Sequence, residues 1–363
     1  MKVFSPGFFA PGTSASKPRV LSRMSPAFLL GLVATTQPTL VVLNKQENMV
    51  WLVDMASGKP RAKLPTGPNP HEVVVSPNQK LAAISNMGDG KPELGFTITV
   101  ADVQTGKIAK TIDLKPNSLP HGIVWLSDSR LLYTSQSTES VCELDVTSGK
   151  VVRSIPTQQK GTHMVVVTPD HSRAFAVNAI SGTVSALDLK KGELIQQIPT
   201  GNRAEGLSIS PDGKWVACGN VGANTVSIID AQTLTIKTTI ENVGVPIRSI
   251  FTANGKFLAV SSVLSGSVEI FDTSSWKKIT SVELKGKPVV KAYGDQWPVP
   301  MNLCTLKSGN IMVVLVTSHA VAEIDAKTWK VSRYFDTGLL PDGVAVAEKL
   351  ELKGLLAELA LAP

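Results

Sequence analysis

Three histidines occupy the same place in three consecutive copies of one short pattern. The copies read Pro70-His71-Glu72-Val73-Val74-Val75, Pro120-His121-Gly122-Ile123-Val124-Trp125 and Thr162-His163-Met164-Val165-Val166-Val167. Four more open on Ala204-Glu205-Gly206, Pro246-Ile247-Arg248, Pro300-Met301-Asn302 and Pro341-Asp342-Gly343, so one register holds His71, His121, His163, Glu205, Ile247, Met301 and Asp342. The chain has 5 histidines, and three of them stand in this register. Imidazoles brought together from adjacent repeats could hold a divalent metal ion with coordination positions left open for water or substrate. Glu205 or Asp342 would then complete the coordination or move a proton, with His121 sharing the catalytic work. Arg248, one residue past the register, could clamp a substrate carboxylate. The competing explanation is duplication: a histidine copied with its repeat, bonding the backbone of its neighbour. Carboxylates on one arc and apolar Ile247 and Met301 on the other favour a pocket with a polar and a greasy side, suited to a small organic ligand.

For these residues to meet, the repeats must form a ring. The pattern recurs at intervals of roughly 40 to 55 residues, the range of propeller blades. Within the fourth copy, Gly206–Ser210, Trp215–Cys218, Thr225–Asp230 and Thr235–Ile240 read as four short strands separated by turn residues. The start of the pattern, Leu40–Leu64, supplies three strands with none before them; the last copy, Asp342–Ala347, supplies one with none after it. Joined, they make a seventh blade, which closes the ring and removes open sheet edges. The expected fold is therefore all-β: a seven-bladed β-propeller of four-stranded antiparallel blades over residues 39–347. The recurring Asp54, Asp102, Asp145, Asp188, Asp230, Asp272 and Asp325 end third strands and should accept hydrogen bonds from the turns that follow.

Two repeats resemble those of YVTN-type seven-bladed propellers: Ala174-Phe175-Ala176-Val177-Asn178 with Gly182–Asp188, and Val216-Ala217-Cys218-Gly219-Asn220 with Asn224–Asp230. The Ser210-Pro211-Asp212-Gly213-Lys214 turn belongs to the same pattern. The resemblance implies the fold but does not choose a function, because that family includes lactonase-like enzymes, lyases and periplasmic proteins of unclear activity.

Two departures from the compact repeat lie on the face where the inner strands begin. One is the link Met87–Gly95. The other is the link 285–299, which carries Tyr293, Asp295 and Trp297 and reads either as a lid over the pocket or as packing on the rim. Tyr293, Trp297, Met301 and His319, the last in a turn on that face, join Arg248 as candidate substrate contacts.

The formal net charge is +7, and Lys2, Lys17, Arg19 and Arg23 supply four of those charges before residue 38. The rest is dispersed, which argues against a nucleic-acid face. Residues 1–38 read as an export signal or a disordered leader, placing the protein in the periplasm or outside the cell, with the cytoplasm as the alternative. The apolar run Ala27–Ala34 is too short to span a bilayer. The leucine-rich stretch 348–363 reads as a short amphipathic helix. Cys142, Cys218 and Cys304 read as free buried thiols. Two functions follow as expectations for a monomer with a small-molecule partner. One is a metal-assisted or acid–base enzyme of lyase, isomerase or lactone-hydrolase type. The other is a non-catalytic propeller that binds a ligand or protein on its top face.

Overall fold

A computed structural model describes residues 38–88, 95–289 and 297–348. The export-signal, lid-tip and C-terminal-helix expectations fall mainly on the other residues, outside those described. The described residues form seven four-stranded antiparallel sheets. Six are sequential, beginning at the inner strands Pro70–Val75, Pro120–Trp125, Thr162–Val167, Ala204–Ile209, Pro246–Phe251 and Pro300–Thr305. The seventh pairs Pro341–Ala347 with Thr39–Asn44, followed by Met49–Asp54 and Pro60–Pro65. The ring thus closes as the sequence requires. No helix among the described residues is long and apolar enough to cross a membrane.

Burial explains the order of the strands. Second strands such as Leu81–Asn86 are buried almost throughout, because both faces pack against neighbouring blades. Outer strands such as Lys107–Asp113 alternate between exposed and partly covered residues, as expected for a sheet edge with one face in water. The apolar residues collect in seven clusters, each wedged between two adjacent blades. Ile98, Ile123, Leu131 and Tyr133 join the first blade to the second; Leu40, Val42, Met312 and Val314 join the sixth to the seventh. All seven strand-ending aspartates accept backbone N–H bonds from the following turn, as at Asp102 from Gln104 and Thr105, both 2.8 Å. The three cysteines are free; Cys142 and Cys218 are buried, and Cys304 is only partly so.

One regular defect matters most. In every blade the inner strand carries an extra residue relative to its neighbour: Pro70 pairs with Asn86 but Val73 with Ile84. The same shift follows Pro120, Thr162, Ala204, Pro246, Pro300 and Pro341. Such a bulge re-aims side chains and interrupts the ladder. This is why the fourth inner strand starts at Ala204, two residues before the position its hydrophobic pattern suggests.

Candidate functional site at the upper end of the channel

The bulges place two residues per blade at the channel. A bulge frees a backbone N–H that must find another partner. In the first blade that donor, on Glu72, reaches Ser85 Oγ at 3.2 Å, and Ser85 Oγ in turn donates to the carbonyl of His121 at 2.8 Å. Thr134 repeats the device, accepting from Gly122 N–H at 2.9 Å and donating to the His163 carbonyl at 2.6 Å. Each hydroxyl therefore fixes its own bulge and the histidine of the next blade. Gly122 and Gly206 allow the inner strands this close approach: a Cβ would lie 2.6 Å from Met164 Cα at the first and 2.3 Å from the Ile247 carbonyl oxygen at the second.

The three histidines do come together, His121 lying over His163 and His71 tilted 57° against His121. The His71 and His121 ring centroids are 4.8 Å apart, and those of His121 and His163 are 3.6 Å apart with 34° between planes. The Lys45 ammonium donates to His71 Nε2 and to Asp342 Oδ2, each at 2.8 Å. At the other end, Gln136 Nε2 donates to His163 Nδ1 at 2.7 Å, and His163 Nε2–H donates to Glu205 Oε1 at 2.8 Å. Arg248 continues the chain, 3.5 Å from Glu205 Oε1 and 2.7 Å from Glu72 Oε1, while Asn302 donates to Glu72 Oε2 at 2.9 Å. Glu72 and Arg248 belong to the first and fifth blades, so their ion pair spans the shaft.

Electrostatics sort these groups by charge. Burial, reinforced by the neighbouring His163 and His71 rings and by the charges of Arg248 and Lys45, pushes the His121 imidazole well below the usual range and keeps it neutral. His71 is lowered as well, chiefly by burial, although the Asp342 charge opposes this. Burial would raise the Glu205 carboxyl, but the hydrogen bond from His163 and the neighbouring Arg248 guanidinium outweigh it and bring the pKa to about 2. Burial likewise works against the Arg248 cation; Glu72 and Glu205 overcome it, and the guanidinium stays charged. His121 is 2% exposed, and its Nδ1 has no hydrogen-bond partner among the described residues; neither has Arg248 Nε.

Several expectations change. A shared divalent metal needs three nitrogens aimed at one point about 2.0–2.1 Å away. His121 instead lies over His163 with His71 tilted beside it, and His71 Nε2 and both nitrogens of His163 are engaged by other side chains. Among the described residues no group of three or more His, Cys, Asp or Glu side chains could hold a metal ion. Arg248 clamps carboxylates, but they are the protein's own. Met301, partly buried, packs against the apolar cluster between the sixth and seventh blades. Trp297 is half exposed and ties its link to the fifth blade by donating to the Val263 carbonyl. His319 caps the turn Val316–Ser318 in a left-handed conformation, with Glu47 as its charged neighbour. Tyr293 lies outside the described residues.

Glu72, Asn302, Lys45 and Gln136 complete the site without having been singled out by the repeat. Glu72, Arg248 and Asn302 share the second bulge position, where other repeats carry glycine or methionine. That contrast was the available signal. Lys45 and Gln136 come from loops between second and third strands, where the repeat pattern is silent.

Residues 134–249, about a third of the chain and including His163, Glu205 and Arg248, match the family model of the Cytochrome D1 heme domain. No curated protein matches the chain. Among solved structures it is similar to hydrazine synthase of Kuenenia stuttgartiensis, with a TM-score of 0.63 and 18% identity over 77% of this chain and 90% of that one. A functionally unknown protein from Desulfotomaculum acetoxidans DSM 771 superimposes with a TM-score of 0.70 at 13% identity, covering 86% and 99% of the two chains. The dihydro-heme d1 dehydrogenase NirN, solved in complex with DHE, gives a TM-score of 0.60 at 14% identity over 82% of this chain and 63% of that one. At these identities the structural likenesses establish the fold: the chain is a seven-bladed, all-β propeller.

Proposed function

We propose that this propeller binds a heme-type tetrapyrrole, as cofactor or as substrate, at the upper end of its channel. The observation that carries the reading is the His121 imidazole: buried, neutral, and with its Nδ1 unpartnered among the described residues. A neutral imidazole keeps a lone pair, which is the donor a heme iron uses. The partial match to a d1 heme domain and the likeness to NirN support this ligand class. Bound there, such a group would supply redox chemistry at its iron. His121 would hold the iron. Lys45, whose side chain is 29% exposed, would trade Asp342 for an acidic substituent of the ligand. Arg248 remains committed to Glu72 and Glu205.

His163 is placed to move protons. Glu205, held near pKa about 2, is a poor base at neutral pH and instead orients the Nε2–H of His163. The same Gln136–His163–Glu205 chain supports a second reading, acid–base chemistry on a small carbonyl compound without iron, the lyase or lactone-hydrolase type.

A heme titration separates the two. We expect a saturable, one-to-one Soret shift that His121→Ala abolishes and His171→Ala, in an exposed turn, leaves intact. Absence of a saturable shift in the unmodified protein would refute the tetrapyrrole reading and leave the acid–base one.

A further inference from the structure

Far from the shaft, the outer junctions between neighbouring blades are fastened in two ways. At most of them a side chain on one blade's outer strand crosses to a backbone carbonyl in the turn that precedes the next blade's outer strand. Arg61 reaches Val103 and Gln104, Lys110 reaches Val146 and Thr147, Arg153 reaches Leu189, Gln196 reaches Leu234, and Arg333 reaches Met55. Lys110, Arg153, Gln196 and Arg333 share one place, the first pair past a bulge in the outer strand, and Arg61 stands one residue earlier. Thr238 and Thr280 hold that place in the fourth and fifth blades, and among the described residues neither bonds the next blade. An edge-on aromatic pair closes those two junctions instead: Trp215 against Trp276, with ring centroids 5.7 Å apart, and Phe257 against Trp329 at 5.1 Å. One turn residue separates the two devices. Where a charged side chain crosses, the turn ends in glycine (Gly58, Gly106, Gly149 or Gly192); where none does, it ends in Trp276 or Trp329. A Cβ on Gly192 would lie 3.3 Å from Arg153 Cδ, so a larger residue there would crowd the strap.

The straps follow the histidine column. Asp342, His71, His121, His163 and Glu205 stand on the seventh, first, second, third and fourth blades, and every junction between those blades is strapped. The aromatic junctions lie on either side of the fifth blade, where the inner strands of the fifth and sixth blades carry Ile247 and Met301 in the same register. We propose that Lys110 and Arg153 are positioning residues for the column. Lys110 fixes the blade of His71 against that of His121, and Arg153 fixes the blade of His121 against that of His163. Apolar packing between blades is non-directional. A charge-assisted bond adds direction, and a close-packed sheet carries a spacing set at its outer strand to its inner one. Glu143 holds Arg153 in place from the adjacent strand at 2.6 Å. The rings so aligned meet at 4.8 and 3.6 Å. The proposal concerns the geometry of the column and holds whichever ligand the column takes.

The test reads the rings themselves, in the full chain labelled with ¹³C,¹⁵N-histidine. His121 and His163 shield one another, so the shifts of their carbon-bound protons report their separation. Lys110→Met and, separately, Arg153→Met should displace the His121 resonances, and Arg153→Met those of His163 as well, while His171 in its exposed turn stays fixed. Lys110→Arg and Arg153→Lys keep a donor and should return the resonances to their wild-type positions. Arg333→Met removes the strap between the sixth and seventh blades, outside the histidine blades; it should lower the urea midpoint comparably and leave His121 and His163 unmoved. The proposal is overturned if both methionine variants, folded by circular dichroism, leave His121 and His163 at their wild-type shifts. It is also overturned if Arg333→Met moves them as far, or if the conservative variants fail to restore them.

Discussion

Replacing Arg248 by methionine tests whether the layer across the shaft holds the inner strands together. Its guanidinium and the Glu72 carboxylate are each about nine-tenths buried and meet at 2.7 Å. Methionine preserves much of the stem and removes the charge. Glu72 then keeps only the neutral Asn302 amide as a side-chain partner, and Glu205 loses the guanidinium 3.5 Å away. Breaking a buried pair on one side costs about 3–5 kcal/mol, because the survivor stays desolvated. For a domain of this size that lowers Tm by on the order of 10 °C. Glu72→Gln in the same background should restore much of the loss, since an amide is far cheaper to bury than a lone carboxylate. Urea unfolding of the wild type, both single variants and the double variant gives the coupling directly. A methionine variant within about 1 kcal/mol of wild type, or effects that simply add, would refute the account of the layer as one electrostatic unit.

Other consequences can be measured independently. Because Glu205 titrates near about 2 in the fold against 4.5 ordinarily, its contribution is complete above pH 4.5 and disappears as pH falls toward 2; Glu205→Gln should flatten stability over that window. His121 should remain a neutral imidazole at pH 6.5, read from its ring ¹⁵N shifts; an imidazolium signal there would contradict its environment. Ser85→Ala orphans the Glu72 N–H and should cost about 1–3 kcal/mol in urea unfolding. Gly206→Ala drives a methyl into the Ile247 carbonyl and should cost about 1–3 kcal/mol in the same assay.

The ring was legible because it rests on periodicity. The repeat gave the blade count, the antiparallel strands and the closure by Pro341–Ala347, since each of those follows from where apolar runs and turns fall. The site was legible only as a column. His71, His121, His163 and Glu205 do stand together, but alignment carries no information on ring orientation, and among the described residues no group of side chains could hold the expected metal ion. The bulge was the missing element. It brings Glu72, Arg248 and Asn302 to the channel from a position that simple strand alternation assigns to the sheet interior. Gln136 and Lys45 depended on loop conformations that no repeat dictates.

The Lys45–Asp342 contact bridges positions separated by 297 residues. During synthesis the strand Thr39–Asn44 is therefore made long before its partner Pro341–Ala347, and its edge stays unpaired in the interval. The same seam runs beside the stacked histidines, where Lys45 also donates to His71. Losing the strand Pro341–Ala347 would unlatch the circle and remove Asp342, which anchors the lysine beside His71, so circular integrity and the arrangement of the histidine column should be lost together.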